Sequence, residues 1–257
     1  MSTISGPSAA ALHSLSSYDI QFLQSLPKAE LHAHLNGCIP LQTLIDLTQD
    51  LSPSTDPDGD IATAVEKFRA GLTLDHISSF FPLFPAIYAL ISTPAALSRV
   101  TRDVLDAFLK PQNSPPPGFA YAPAPECSYI ELRTTPRATA HMSRYTYLTT
   151  VLDEVERFPP DKTALIVSID RRASEVEAAE CVDVAIALRA EGRRVVGLDL
   201  CGDPLKGDVS TFEKHFRRGK EAGLKVTVHI AEVGVVQASD WNWAGNNLLC
   251  RRKTTHL

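Results

Sequence analysis

Two histidines one residue apart, His32 and His34 in the run Lys28-Ala29-Glu30-Leu31-His32-Ala33-His34-Leu35-Asn36-Gly37, have the spacing in this sequence that most directly suggests chemistry. Side chains alternate across a strand, so on a strand both imidazoles leave the same face. Neutral imidazole nitrogen is a preferred zinc ligand, and a site needs at least a third donor. His229, at the end of the apolar run Lys225 to His229, is the candidate; the competing reading is a core histidine at a strand end. Three imidazoles with one open position describe a catalytic and not a structural zinc. Glu232 follows three residues later, where it can stand beside a metal without binding it and pass a proton to a substrate. An exposed loop glutamate is the alternative for that residue.

Strands must carry these groups, and the sequence offers five. Ala29 to Leu35 comes after a short helix over Ser17 to Leu26 stopped by Pro27, and Val-, Ile- and Leu-rich runs follow at Ser128 to Thr134, Ala164 to Ile169, Val195 to Leu200 and Lys225 to His229. Each reads as a buried parallel strand. Helical periodicity lies between them, over Leu41 to Gln49, over Ile61 to Phe108 with interruptions at Pro82, Pro85 and Pro94, and over Tyr145 to Arg157, Ala173 to Glu191 and Thr211 to Ala222. Regular alternation of strand and helix predicts a parallel sheet with right-handed crossovers. The expected fold class is α/β, a (β/α)8 TIM-barrel type with about five of its eight βα units. A doubly wound sheet is the alternative, weakened because no glycine-rich phosphate fingerprint follows any strand. Pro111 to Pro125, with six prolines, reads as an irregular surface insertion. The expected organisation is a leader and helix over 1–27, a partial barrel over 28–232 and an atypical tail over 233–257.

Composition narrows the class. Hydrophobic residues make up 44% of the 257, too many for a disordered chain, and the formal charge of −5 supplies no basic field for a nucleic acid. Five cysteines, an odd number without a C-x-x-C pair, argue against a disulfide framework or a thiolate zinc site and fit a reducing compartment. The first 27 residues lack a secretory pattern, and no apolar stretch approaches the roughly 20 residues of a membrane helix. A cytoplasmic, monomeric protein with a small-molecule partner, no nucleic acid and no membrane is therefore expected. The H-x-E with P-C-x-x-C signature of nucleobase deaminases and the H-E-x-x-H signature of zinc proteases do not occur.

The strand tips hold the polar residues, as parallel barrels require. The segments LPKAELHAHLNG, YIELRTTPR, GLDLCGDP and VHIAEV together resemble the adenosine deaminase family of the amidohydrolase superfamily, discontinuously from residue 26 to 232. Asn36 after H-A-H-L, the R-T-T-P turn and the D-R-R turn resemble its adenosine deaminase-like branch, which acts on N6-methyl-AMP; adenosine deaminase itself typically carries aspartate where Asn36 stands. The resemblance implies one Zn2+ per chain on His32, His34 and His229, with Glu232 protonating purine N1 as hydroxide adds at C6 and methylamine or ammonia leaves. It also implies substrate contacts from His34, Asn36, Arg133, Thr134, Thr135, Pro136, Asp170 and Gly202, the glycine letting the ribose approach backbone closely. Arg133 suits a phosphate because its planar fork donates paired hydrogen bonds, and a salt bridge to Glu131 is the other reading. Tyr88 takes a position where the branch can place a substrate-contacting histidine.

After Glu232 the resemblance predicts a G-H pair, whose histidine orients the attacking water, and an aspartate completing the metal shell. Neither follows: Asp240 sits in Gln237-Ala238-Ser239-Asp240-Trp241-Asn242-Trp243 with no strand-like approach, and His256 is the only later histidine. The tail loses barrel periodicity, from which a truncated gene product or a misread splice junction is expected, with most of the catalysis lost. Two functions compete with a purine deaminase: another amidohydrolase acting on an amide or ester, and a zinc- and nucleotide-binding remnant without turnover.

Overall fold

The computed structural model of the protein describes residues 10, 11, 13–49, 59–70, 81–111, 124–203 and 205–230. In chain order its elements are α1 (Ser17–Ser25), β1 (Ala29–His34), α2 (Leu41–Gln49), α3 (Asp60–Ala70), α4 (Phe84–Leu90), α5 (Pro94–Leu109), β2 (Tyr129–Thr134), α6 (Arg144–Val155), β3 (Thr163–Asp170), α7 (Glu175–Ala190), β4 (Val195–Cys201), α8 (Glu213–Glu221) and β5 (Lys225–Val228). All five strands pair in parallel, in the order β1-β2-β3-β4-β5. That sequential order has no reversal point, which removes the doubly wound alternative. The described residues form a curled half-barrel with helices outside it, an incomplete (β/α)8 barrel. Residues 112–123 of the proline-rich insertion lie outside the described residues.

Prolines that break the long helical region as a sequence begin helices in the structure. Pro85 and Pro94 occupy first-turn positions of α4 and α5, where a missing N–H costs nothing. Thr93 caps α5 by accepting the Ala96 amide at 3.3 Å. The buried side chains of α5, Leu97, Val100, Val104 and Leu105, recur at helical spacing and pack on the outer side of the sheet together with Leu148 and Val151 of α6. Full burial of such a side chain is worth roughly 1.5–3 kcal/mol each. Where α5 meets α6, Glu154 accepts hydrogen bonds from Ser98, Arg102 and Arg157. Burial opposes its charge, but these donors outweigh burial and hold its carboxyl down at about 2.

Curling is what assembles the site. In a flat sheet β1 and β5 would stand roughly 19 Å apart, four strand spacings. Here the rings of His32, just before the end of β1, and His229, just after β5, lie with centroids 4.6 Å apart. β1 carries an extra residue between Glu30 and Ala33, a bulge in which the Glu30 carboxylate accepts the His32 amide at 2.7 Å. Bulges re-aim side chains beside sites, and this one leaves His32 and His34 on the concave side. Among the described residues no helix is long and apolar enough to cross a membrane.

Candidate active site

Three imidazole nitrogens converge at the C-terminal ends of the strands. Nε2 of His229 stands 2.7 Å from Nε2 of His32 and 2.9 Å from Nε2 of His34. The other nitrogen of His229, Nδ1, faces a carboxylate oxygen of Asp199 and the Leu200 carbonyl, both at 3.1 Å. Both partners only accept, so Nδ1 carries the proton and Nε2 presents its lone pair to the other two histidines. Burial, then repulsion from His229, lowers the His34 pKa to about 4, which keeps that ring neutral. Three lone-pair nitrogens gathered on one point, one of them backed by a carboxylate, fit a metal ion. His34, Asp199 and Cys201 also approach one another closely. That second grouping fits poorly, because burial pushes the Cys201 thiol far up and Asp199 is committed elsewhere.

Asp199 is the residue that reading the sequence left out of the site. It is fully buried, at 0% exposure, and gathers Arg133 at 3.1 Å, Ser168 at 2.9 Å and Thr227 at 2.9 Å in addition to His229. Burial resists its ionisation, but the His229 hydrogen bond and the nearby positive charges outweigh burial and hold its pKa below the usual carboxylate value. Its signal was present in the sequence: an acid in the middle of Val-Val-Gly-Leu-Asp-Leu-Cys, a strand with nothing else to satisfy a charge.

Arg133, expected among the substrate contacts, is held by a buried acid. Its guanidinium does not reach outward for a phosphate but turns inside the sheet, bonding Asp199, Thr227 at 3.3 Å and the Leu31 carbonyl. The salt-bridge reading describes it better, with Asp199 in place of Glu131, whose carboxylate accepts the Tyr129 hydroxyl at 3.1 Å. The cause is position: Arg133 sits opposite His34 on β1 and points into the curled side of the sheet, where Asp199 is the buried acid within reach.

A cavity of about 340 Å3 opens over the histidines, and His34, Asn36, Arg133, Thr134, Thr135, Asp170 and Gly202 all border it. Pro136 instead borders an adjoining cavity, which shares Tyr88, Thr135 and Asp170 with the first. Asn36 is 7% exposed and its side-chain oxygen has no partner, an acceptor left open at the cavity wall. The Thr134 hydroxyl meets the Tyr147 hydroxyl at 2.8 Å, and Arg172 clasps both oxygens of Asp170 at 2.9 and 2.6 Å. Gly202 has φ +101, and a Cβ there would come within 2.6 Å of the Asp170 carboxylate, so the close packing at this tip requires glycine. Arg171, after Asp170, donates to the His229 carbonyl at 2.9 Å and ties the end of β3 to that of β5. Glu232, Asp240 and His256 lie outside the described residues.

The family profile described as adenosine deaminase matches residues 27–239. The adenosine deaminase-like protein of Drosophila melanogaster is 32% identical over 219 residues, covering 83% of this chain and 59% of its own length. The human N6-methyl-AMP deaminase is 32% identical over 223 residues, covering 82% and 56%. The chain thus spans less than two thirds of these relatives. Among solved structures, an Arabidopsis ADAL complexed with IMP superposes with a TM-score of 0.68 at 28% identity, covering 88% of this chain and 70% of that one; its complex with GMP gives 0.69 at the same identity and coverage.

Proposed function

The chain belongs to the adenosine deaminase family, and from that premise we propose that it binds one zinc ion and a 6-aminopurine nucleotide in a hydrolytic deaminase site, with N6-methyl-AMP, IMP and methylamine as substrate and products. The observation that carries this reading is the convergence of the His32, His34 and His229 Nε2 atoms at the mouth of the cavity. A zinc ion held there would supply Lewis-acid activation of water at neutral pH. Asp199 fixes the His229 tautomer, and Arg133 balances the Asp199 charge away from solvent. Asn36 offers its open oxygen to a purine N–H, while Asp170, held by Arg172, and the close backbone at Gly202 border the sugar. Glu232 donates the proton to purine N1, and residues 28–232 make up the barrel domain.

Incubating the zinc-loaded 257-residue protein with N6-methyl-AMP or adenosine and measuring released amine tests this. Methylamine from the nucleotide with no ammonia from adenosine is the expected result; adenosine as the better substrate contradicts it. A second reading is a zinc- and nucleotide-binding protein without turnover, in which the three histidines still gather a metal beside the cavity. Stoichiometric zinc and AMP binding with no amine release would select that reading.

A further inference from the structure

Two tyrosines stand behind the strand tips, and one of them reaches a cavity. Tyr88 of α4 borders both cavities, with the Arg137 guanidinium carbon 3.9 Å from its ring centroid. Tyr147 of α6 borders neither and is 1% exposed. Its place follows from the helix start: Ser143 caps α6 by accepting the Thr146 amide at 3.1 Å, which puts Tyr147 in the first turn, beside the end of β2. A phenol buried this deeply has to find polar partners for its hydroxyl.

It finds two. Its oxygen meets the Thr134 hydroxyl at 2.8 Å, and the Asn36 side chain hydrogen-bonds it from the turn after β1. Which end of the Asn36 amide does so follows from the other end: the side-chain oxygen has no partner among the described residues, so the nitrogen faces the phenol. An amide nitrogen only donates, so the phenol oxygen accepts from it and donates its own hydrogen to Thr134. The bonds therefore run one way, from Asn36 through Tyr147 to Thr134, and join the tips of β1 and β2. Asn36 and Thr134 border the histidine cavity, while Tyr147 lies behind them.

We infer that Tyr147 is a positioning residue for substrate recognition: by holding the Asn36 nitrogen it keeps the Asn36 oxygen as the end that a ligand meets. The inference rests on the purine nucleotide reading above, in which that oxygen accepts a purine N–H. An amide rotated by half a turn would present two donors to that N–H in place of an acceptor. The two ends have nearly the same shape, so packing alone does not choose between them, and a fixed partner for the nitrogen does. Tyr147 needs no contact with the ligand to act in this way; its hydroxyl alone carries the effect.

Calorimetric titration with AMP, and separately with zinc, of the unmodified 257-residue protein, Tyr147→Phe, Asn36→Ala and the double variant tests it. Phenylalanine keeps the ring in the core and removes the hydroxyl alone. Asn36→Ala is expected to weaken AMP by about tenfold, the worth of one hydrogen bond, and Tyr147→Phe by about three- to tenfold. The double variant should bind AMP within about twofold of Asn36→Ala, because Tyr147 acts through Asn36. Zinc affinity should stay within about twofold throughout, since the bonds run through none of the three histidines. Losses that multiply in the double variant, AMP binding indifferent to Tyr147→Phe, or a Tyr147→Phe chain that loses zinc along with AMP overturns the positioning role alone. Failure of the unmodified protein to bind AMP overturns the nucleotide reading and the positioning role with it.

Discussion

The middle of the sheet and its two flanks are built for different purposes. β3 is buried along almost its whole length, and its neighbours β2 and β4 present Leu132, Leu198 and Leu200 to the core beside its Leu165 and Val167. Among the described residues β1 and β5 are more open, and they carry or adjoin the histidines. Stability concentrates in the centre, while the histidine cluster proposed to hold the metal sits where the first and last of the five strands curl toward each other. Where apolar side chains pack on both faces, a strand needs nothing else to hold it; the flanks, lacking that packing, gain most from a ligand that joins them.

The largest expected effect tests the centre. Leu165→Ala should cost about 2–5 kcal/mol of unfolding free energy, because the fully buried site cannot collapse around the lost atoms. Chemical denaturation with and without zinc should show the same loss; a loss that zinc repairs would mean that centre and flank are not separate. At the flank, His229→Ala should weaken zinc by more than about a hundredfold, the upper end of what replacing a residue behind a ligand costs, with the centre's stability little changed. Competition with a zinc chelator measures this, and unaltered affinity removes His229 from the site.

Asp199→Asn links the two regions. It leaves the His229 ring without its carboxylate and Arg133 buried without a counter-charge, so zinc affinity should fall about ten- to hundredfold while the metal-free protein also melts earlier. Loss of zinc affinity with unchanged melting would show the Arg133 pair to be dispensable. The smallest effect lies in the outer helices. The Glu154 carboxyl has a lower pKa folded than unfolded, so its contribution is fully present above about pH 4.5 and is lost as pH falls toward about 2. Half-exposed Arg102 and Arg157 screen the pair, leaving about 2 kcal/mol, and Glu154→Gln should remove that much of the acid dependence. An acid melting profile identical for the two proteins contradicts it.

Strands were the most legible feature of the sequence, because buried parallel strands are continuous apolar runs with little competition for the assignment: Val195 to Leu200 as read differs from β4 by one residue. The histidine cluster was legible for a different reason, since imidazoles at two strand tips have few other uses together. The partners behind the ligands were not. Whether Arg133 meets a phosphate, Glu131 or Asp199 depends on how far the sheet curls, a property of the assembled strands that no local pattern carries. The Arg137 and Tyr88 pair joins a strand-end turn to α4, across 49 residues of sequence, and only packing brings it together.

Amide hydrogen exchange of the 257-residue protein, with and without one equivalent of zinc, tests the division between centre and flanks most directly. Zinc held by His32, His34 and His229 should slow exchange in Ala29–His34 and Lys225–Val228 and leave Thr163–Asp170 unchanged. Slowing spread evenly over all five strands, or absent from β1 and β5, would contradict a metal that joins the two flanks.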